Sequence, residues 1–480
     1  MAKKSIVKNY IYNVMYQVLV MIIPLITTPY LSRVLGAENI GIYSYTISIT
    51  TYFILFGSFG VATYGQREIA YIQDDIDKRS KIFFEIFIMR FITLGISMLI
   101  FYLTFVLKGQ YNFYYKILIL EIVANIIDIS WYFQGMEEFK KTVIRNTIVK
   151  LISVICIFIF VKSPNDLYKY FIIYVTSTFL GNLSLWLYLP KNTKKVKFKE
   201  LNIIKHFKPT ITLFIPQIAT QIYTVLDKTM IGTIVANKSE VGYYEQAQKI
   251  IKLLMTLATS LGTVMMPRIA STFAVGDRKK IKDYLSTSFA FIMMLAFPLM
   301  FGIISVADSF VPIFYGEGYE KVVPLICIIS PIIVLIGLSN VTGIQYLLAT
   351  KQQNKYTISV VIGALVNFTL NLILIRNLES IGASIATVIA ELSVTIIQFA
   401  LLKDTVKLGE VLKLSYKYII ASIIMFCISI TVGNLIDNKL ISIIIQVIIS
   451  ISIYFILLIA MKDPLILESI HKINSKLKDK

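Results

Sequence analysis

The sequence predicts an all-α polytopic membrane protein with about 14 transmembrane helices, arranged as two pseudo-symmetric six-helix lobes plus two C-terminal helices. Of its 480 residues, 56% are hydrophobic and only 16% are charged, and the mean hydropathy is +0.74. Soluble globular domains are much richer in charge, with about a quarter of their residues ionised. Apolar stretches of about 20 residues, long enough to cross a bilayer, recur along the whole chain.

The spans begin close to the first residue. The 24 uncharged residues from Asn9 to Ser32 are too long for the hydrophobic region of a signal peptide, so we expect this segment to remain as the first span. Hydropathy then places the spans near residues 11–32, 41–64, 84–107, 114–134, 143–161, 169–189, 209–234, 246–267, 286–311, 322–349, 356–376, 381–402, 416–436 and 440–461.

The distribution of charge predicts the orientation. The net charge is +19, and basic residues are about three times as numerous in the segments on the side of the N-terminus as on the opposite side. Because cytoplasmic segments of membrane proteins are enriched in lysine and arginine, both termini are predicted to be cytoplasmic. The expected location is the cytoplasmic membrane of a bacterial cell.

A basic connection divides the predicted spans into two sets. The prediction is an N-terminal lobe at 1–190 with spans 1–6, a basic cytoplasmic linker at 191–208, a C-terminal lobe at 209–402 with spans 7–12, and a segment at 403–480 with spans 13–14 and a cytoplasmic tail.

The two lobes resemble each other at an offset of 201 residues. This offset aligns IGIY at 40–43 with VGYY at 241–244, and it aligns Arg67 with Arg268. Six spans separate the copies, so both copies have the same orientation and are related by an axis along the membrane normal. Arg67 and Arg268 are predicted to be either gate residues or cytoplasmic anchors.

The residue inventory does not favour an enzyme. The cysteines Cys156, Cys327 and Cys427 lie in apolar stretches without a CxxC motif, and the histidines His206 and His471 are far apart. We find no nucleophile with a nearby base, no metal-ligand cluster and no GxxxxGK[ST] phosphate loop. We therefore predict no catalysis, no cofactor and no metal. Basic residues dispersed between apolar segments favour a membrane surface over nucleic acid as partner.

Charged residues inside the predicted spans are candidates for function. An ionised side chain at the bilayer centre costs about 2.5–3.5 kcal/mol, so most of these residues should face a hydrated interior. Glu391 has 11 uncharged residues on either side. Glu121 and Asp128 share one face of span 4 at helical spacing, Arg90 opens the apolar part of span 3, and Lys150 lies in span 5.

Polar stripes also run along spans 7 and 8. They comprise Gln217, Gln221 and Lys228, with Asp227 beside them, and then Glu245, Lys249 and Lys252. Residues at this spacing share one helix face. We predict that both stripes line a substrate-binding cavity to which Arg90 and Lys150 also belong, and that its basic residues compensate the charge of an anionic substrate.

Structural roles remain open as alternatives for several of these residues. Arg90, Lys150 and Lys249 are also placed to extend their charges towards an interface. Glu245 and Lys249 have the i,i+4 spacing of an ion pair on a helix surface.

The acidic residues have a similar alternative. Pairing of Asp128 or Glu121 with Arg90 or Lys150 would hold helices together. Glu391 is predicted either to bind a coupling ion or to pair helices.

Five stretches carry a resemblance to a known family. They are residues 28–70, which end in YGQREIA, WYFQGMEEFK at 131–140, LDKTMIG at 226–232, VGYYEQAQKI at 241–250 and NLILIRNLESIGASIATVIAE at 371–391. Together they resemble the Wzx-type oligosaccharide repeat-unit flippases of the multidrug/oligosaccharidyl-lipid/polysaccharide exporter superfamily, from the first span to the last. This family often has proline after NLILI, where the chain has Arg376.

The resemblance implies a carrier that works by alternating access through a cationic central cavity. Its two lobes would rock around that cavity, and the two C-terminal helices would form a groove open to lipid. The implied substrate is a polyprenyl-pyrophosphate-linked oligosaccharide, moved from the cytoplasmic to the outer leaflet for surface or capsular polysaccharide assembly. Membrane lipids and a polysaccharide polymerase machinery are the other implied partners.

Two further functions fit the same pattern. One is a flippase for another lipid-linked cell-wall precursor, such as lipid II or a teichoic acid precursor. The other is a cation-coupled multidrug exporter of the same superfamily. An exporter of cationic drugs is expected to have twelve spans and an acidic cavity, so fourteen spans and basic stripes favour an anionic lipid-linked substrate.

Overall fold

Long helices joined by short connections make up the chain. The computed structural model describes residues 6–191, 193–403, 405–406 and 408–468. Its α-helices are α1 Ile6–Ser58, α2 Val61–Tyr71, α3 Ile76–Phe101, α4 Asn112–Ile126, α5 Ser130–Gly135, α6 Phe139–Phe160, α7 Leu167–Leu185, α8 Phe207–Ile234, α9 Ser239–Thr259, α10 Gly262–Val275, α11 Arg278–Tyr315, α12 Val322–Ile329, α13 Ile332–Ser339, α14 Gln353–Leu401, α15 Leu408–Asn434 and α16 Lys439–Ala460. Two π-helical segments, Tyr102–Val106 and Asn340–Leu348, continue α3 and α13.

The predicted fold class is confirmed. In the described residues, ten helices are long and apolar enough to cross a membrane, and a bent pair of helices would add an eleventh. Two long helices each contain two predicted spans, because α1 has a non-helical residue at Gly36 and α14 has one at Glu379. The count of fourteen spans stays a prediction. Helices dominate because hydrocarbon offers no water to backbone amides and carbonyls, which must bond within the chain.

The predicted repeat reappears in the helix boundaries. α1 ends at Ser58 and α9 ends at Thr259, while the next helices begin at Val61 and Gly262. Both pairs of boundaries have the offset of 201 residues that the sequence motifs show. Predicted spans 2 and 8 are therefore not continuous helices, since each one breaks at an equivalent point before a shorter helix.

A close backbone crossing joins two repeat-related positions. An ideal Cβ on Gly41 would lie 1.7 Å from the carbonyl oxygen of Lys238, and one on Gly242 would lie 2.1 Å from the carbonyl oxygen of Ala37. Ala37 and Lys238 have the same offset in sequence as Gly41 and Gly242. The crossing is therefore locally two-fold symmetric, and only glycine fits at its two central positions.

The contacts divide the chain into two compact units. The first unit runs to Gly232 and includes Asn237–Gly242, and the second comprises Thr233–Ala236 and the chain from Tyr243 onward. Most of α8 belongs to the first unit by its contacts. The predicted lobes follow the repeat instead and place this helix in the C-terminal lobe. The lobe boundaries at 191–208 stay a prediction.

Part of the predicted basic linker forms hydrogen bonds and an ion pair with α3. The buried carboxylate of Glu85 accepts a hydrogen bond from the Asn202 amide at 2.7 Å and lies 2.7 Å from Lys205 Nζ and 2.9 Å from His206 Nε2. The hydroxyl of Tyr64 lies 2.7 Å from His206 Nδ1. Burial lowers the pKa of His206, which favours its neutral form at pH 7. The end of the linker is thus an ordered part of the first unit.

The crossing generates a steric prediction. Gly41→Ala and Gly242→Ala should each lower the melting temperature of the purified protein, because the new methyl group meets a backbone oxygen that cannot move by itself. Overpacking of this kind typically costs about 1–3 kcal/mol. The double variant should be little worse than the more damaging single one, since one methyl group already separates the segments.

Gly95→Ala is the matched control. A Cβ on Gly95 would meet no atom within 4 Å, and alanine favours a helix interior over glycine by about 1 kcal/mol. This variant should melt at the wild-type temperature or above it. Equal melting temperatures for Gly41→Ala, Gly242→Ala and Gly95→Ala would contradict the close crossing.

Candidate functional site

Arg90 of α3 is tied to the end of α4. Its side chain is only 3% exposed, its Nε donates to the Asn125 carbonyl at 2.9 Å, and its Nη2 lies 3.8 Å from Asp128 Oδ2. Asp128 in turn accepts from the Ser130 amide at 2.9 Å, at the start of α5. This arrangement agrees with the alternative prediction that Arg90 and Asp128 pair to hold helices of the first unit together.

Glu121 lies on α4 against α7. It is 7% exposed, and the Tyr174 hydroxyl donates to its Oε1 at 3.5 Å. Tyr174 also borders a polar cavity of about 340 Å³ that Lys150 of α6 helps to line. Lys150 thus lines this cavity of the first unit, and Glu121 contacts Tyr174, which lines it as well.

The predicted polar residues of α8 differ in how far they are exposed. Asp227 is buried, Lys228 is half-buried and Gln221 is exposed. Thr229, next to Lys228, donates to Ser48 of α1 at 2.8 Å. The predicted residue Gln217 lies outside the described side chains. The stripe of Gln217, Gln221 and Lys228, with Asp227 beside it, stays a prediction.

The α9 residues belong to the second unit. Lys249 Nζ lies 3.6 Å from Glu245 Oε1, which is the predicted i,i+4 pair, and Lys252 is exposed one turn further on. Both members of the pair are partly accessible, so it contributes about 0.3–0.5 kcal/mol at most. The predicted convergence of Lys249 and Lys252 with Lys228 joins residues of two units and stays a prediction.

Glu391 belongs to a buried polar region of the second unit. Its side chain is 7% exposed on α14, between Thr387 and Thr395 on the same helix face. The Thr387 hydroxyl lies 2.9 Å from the Tyr244 hydroxyl of α9, and Thr395 bonds to the Leu335 carbonyl at 3.1 Å. Glu391 therefore occupies a helix-packing position, as both its predicted roles require.

The repeat-related arginines occupy equivalent short helices. Arg67 of α2 forms an ion pair with Glu68 at 2.9 Å and lies over the ring of Tyr64 at 5.4 Å. Arg268 of α10 is exposed. Both helices directly follow a break, which fits either an anchoring or a gating role.

Two cavities differ sharply in chemistry. The first, which we call the apolar groove, has a volume of about 390 Å³ and lies in the second unit between α11, α15 and α16. Its lining is apolar apart from Ser450 and the Tyr454 hydroxyl. That hydroxyl is turned to the Met294 carbonyl, to which it donates at 2.7 Å. The second is the polar cavity of the first unit, between α1, α6 and α7.

Sequence reasoning missed one cation of the polar cavity. Arg145 lies near the predicted start of span 5, where an arginine is expected at an interface. The structure places it in the cavity wall with Asn146 and Asn182. Its position five residues before Lys150 gave no signal, because residues that share a helix face are three or four apart.

The comparisons with known proteins agree with the helical architecture. The family model described as polysaccharide biosynthesis protein matches residues 6–273, and the model described as lipid II flippase MurJ matches residues 144–454. A solved structure described as "Lipid II flippase MurJ, inward closed conformation" has a TM-score of 0.76 at 18% identity and covers 95% of this chain and 99% of that chain. At this identity the likeness shows a shared fold.

Two relatives are similar in sequence. An Escherichia coli protein named "Putative O-antigen transporter" is 27% identical over 398 residues, which are 82% of this chain and 95% of that relative. A Haloferax volcanii protein named "Probable low-salt glycan biosynthesis flippase Agl15" is 24% identical over 197 residues, which are 41% of each chain.

The geometry of Arg90 predicts a coupled pair. Asp128→Asn should lower the melting temperature, because the buried Arg90 loses its counter-charge, and Arg90→Met should lower it as well. Removing one partner of a fully buried pair costs about 3–5 kcal/mol, and the partial exposure of Asp128 should reduce this cost.

A double-mutant cycle measures the coupling. The variant with both substitutions should be more stable than the sum of the two single effects predicts. Lys78→Gln, which removes an exposed ion pair with Asp75, is the control and should change the melting temperature little. Strict additivity of Arg90→Met and Asp128→Asn would show that the two side chains do not interact.

Proposed function

Because this chain belongs to the family of polysaccharide biosynthesis proteins, within the multidrug/oligosaccharidyl-lipid/polysaccharide exporter superfamily, we propose that it is a flippase for polyprenyl-pyrophosphate-linked oligosaccharide repeat units. The membership agrees with the resemblance of the sequence motifs. The relatives named as an O-antigen transporter and a glycan flippase support this substrate class. The substrate would move from the cytoplasmic to the outer leaflet for surface polysaccharide assembly, without chemical change.

One observation carries the proposal: a single chain combines an apolar groove with basic side chains inside its spans. The groove between α11, α15 and α16 offers an apolar surface to the polyprenyl tail. The sugar and pyrophosphate must cross the hydrocarbon layer, where an uncompensated anion is costly. Lys150, Lys228, Lys249 and Lys252 are the proposed sources of positive charge for this head group.

Alternating access requires a contact that opens once in each cycle. The crossing of Gly41 and Gly242 is our candidate, because it joins repeat-related segments that the proposed topology places on the outer side. The closest approach at its centre is backbone on backbone, and the buried side chains of Lys238 and Glu240 lie beside it. Arg67 and Arg268, at the opposite ends of the corresponding helices, are the proposed cytoplasmic anchors or gate residues.

Lipid II is the second candidate substrate. The MurJ family model matches residues 144–454, and a MurJ structure shares the fold. Both candidates carry a polyprenyl pyrophosphate, so the same groove and cations serve either one. The lipid-linked species that accumulates when the protein is removed distinguishes them.

The first functional prediction concerns that species. Cells that lack the protein should accumulate the lipid-linked oligosaccharide repeat unit on the cytoplasmic side, measured by mass spectrometry of extracted lipids and by protection from added glycosidase in intact cells. Accumulation of lipid II would instead identify the second candidate. If neither lipid accumulates, the flippase proposal is wrong.

The same cells test the lysines. Lys228→Gln, Lys249→Gln and Lys252→Gln should each reduce export by roughly ten-fold or more at matched protein levels, since a charge-assisted hydrogen bond contributes about 1.5–3 kcal/mol. Lys197→Gln, in the exposed basic linker, is the control. If all three variants export as well as the control, the cationic-cavity mechanism fails.

The groove generates a third prediction. Gly302 lines the groove, and a Cβ there would meet no atom within 4 Å, so Gly302→Phe introduces a bulky ring at the groove from an open position. If two methylene groups of the tail lose their contact, at about 0.8 kcal/mol each, affinity should fall about ten-fold. Gly95→Phe, at a position that is equally open, is the control and should export normally. Normal export by Gly302→Phe would exclude the groove as the tail site.

A further inference from the structure

The polar cavity of the first unit has the features of a binding site. It encloses about 340 Å³ between α1, α6 and α7, and both Arg145 and Lys150 line it. The opposite face of α6 carries exposed, purely apolar side chains, including Ile148, Leu151 and Ile155. This division of α6 into an apolar face and a cationic face indicates that the apolar face contacts lipid and that the cavity serves a polar ligand.

Arg145 is held in a fixed orientation at one end of the cavity. Its Nη1 donates to the Gly181 carbonyl at 3.0 Å and to Asn182 Oδ1 at 2.9 Å, and its Nη2 donates to Asn146 Oδ1. Asn182 in turn donates to the Ala124 carbonyl of α4 at 2.7 Å. These bonds orient the guanidinium group at the cavity wall. A planar, oriented guanidinium group suits a phosphate oxygen.

Hydroxyl groups follow the cations along the same wall. Ser153 of α6 donates to Ser177 of α7 at 2.6 Å, and Thr27 of α1 faces them across the cavity. The rings of Tyr170 and Tyr174 complete the lining. Side chains that both donate and accept hydrogen bonds, next to aromatic rings, match the hydroxyl groups and apolar faces of a sugar.

We propose that this cavity is a subsite for a sugar phosphate, with Arg145 and Lys150 on the phosphate and the hydroxyl groups of α6 and α7 on the sugar. The inference rests on the proposed function, in which the ligand is the junction between the first sugar and the pyrophosphate of the lipid-linked substrate. It adds Arg145 and Asn182 to the residues that bind the substrate. It also assigns the sugar-phosphate junction to the first unit.

The test measures binding of a water-soluble probe to the full-length protein in phosphatidylcholine nanodiscs. The probe is a hexose 1-phosphate, detected by saturation-transfer NMR. It should bind, and Lys150→Gln should weaken its binding about ten-fold or more, as loss of a charge-assisted bond implies. Arg145→Lys loses the planar geometry but keeps the charge, so it should weaken probe binding less than Arg145→Gln does. Lys162→Gln, at an exposed position two residues beyond the end of α6, is the matched control and should bind normally.

If Arg145→Gln does not fold, Lys150→Gln still decides the test. The Lys150→Gln variant retains the Arg145 bonds that join α6 to α7. Unchanged probe binding in Lys150→Gln would overturn the subsite. Equal displacement of the probe by glycerol 3-phosphate would also overturn it, because the cavity would then be a phospholipid head-group site. If the subsite fails while the lipid-linked repeat unit still accumulates in cells that lack the protein, the proposed function stands without it.

Discussion

Hydrocarbon contains no water, and this one constraint governs both the helices and the positions of the charges. Backbone groups bond within helices because no other partner is available in the layer. Charged side chains must then be paired, oriented or placed at a cavity, since exposure to lipid is costly. Arg90 faces Asp128 and the Asn125 carbonyl, so its charge serves to join α3 to the end of α4. Arg145 donates to the Gly181 carbonyl and to Asn182 Oδ1, so these bonds orient its guanidinium group at the wall of the polar cavity.

The backbone crossing at Gly41 and Gly242 is a contact between the two copies of the repeat. Duplication places the same short residue at equivalent points of two copies, and a contact between the copies then uses each glycine twice, once against Lys238 and once against Ala37. Lys238 and Glu240 are buried beside this contact, and Lys238 Nζ donates to the Gly232 carbonyl at 2.7 Å. If the crossing opens in the proposed cycle, these charged groups must be hydrated when it separates and desolvated again when it closes.

The predictability of the structure follows from the range of each interaction. Hydropathy and an offset between short motifs were sufficient for the fold class and for the repeat, because a span is a local property of about 20 residues. The break before Val61 and the π-helical segment Asn340–Leu348 were not predicted, since they depend on packing and leave no hydropathy signal. Arg145 was missed for a similar reason: its partner Asn182 lies 37 residues away on another helix. The i,i+4 pair of Glu245 and Lys249 was foreseen because its spacing is local.

The proposed substrate combines an apolar tail with a charged head group, and the two units of the chain differ in the chemistry of their cavities. The apolar groove lies in the second unit and the polar cavity in the first, so our proposals assign the tail and the head group to separate surfaces of matching chemistry. Binding must also be weak enough for release, which favours several partly exposed lysines over one deep ionic site. An inside-negative membrane potential already favours outward movement of an anion by about 2.3 kcal/mol per charge per 100 mV. The proposed cycle therefore needs no coupling ion, and the buried carboxylate of Glu391 is physically acceptable as a helix-packing group alone.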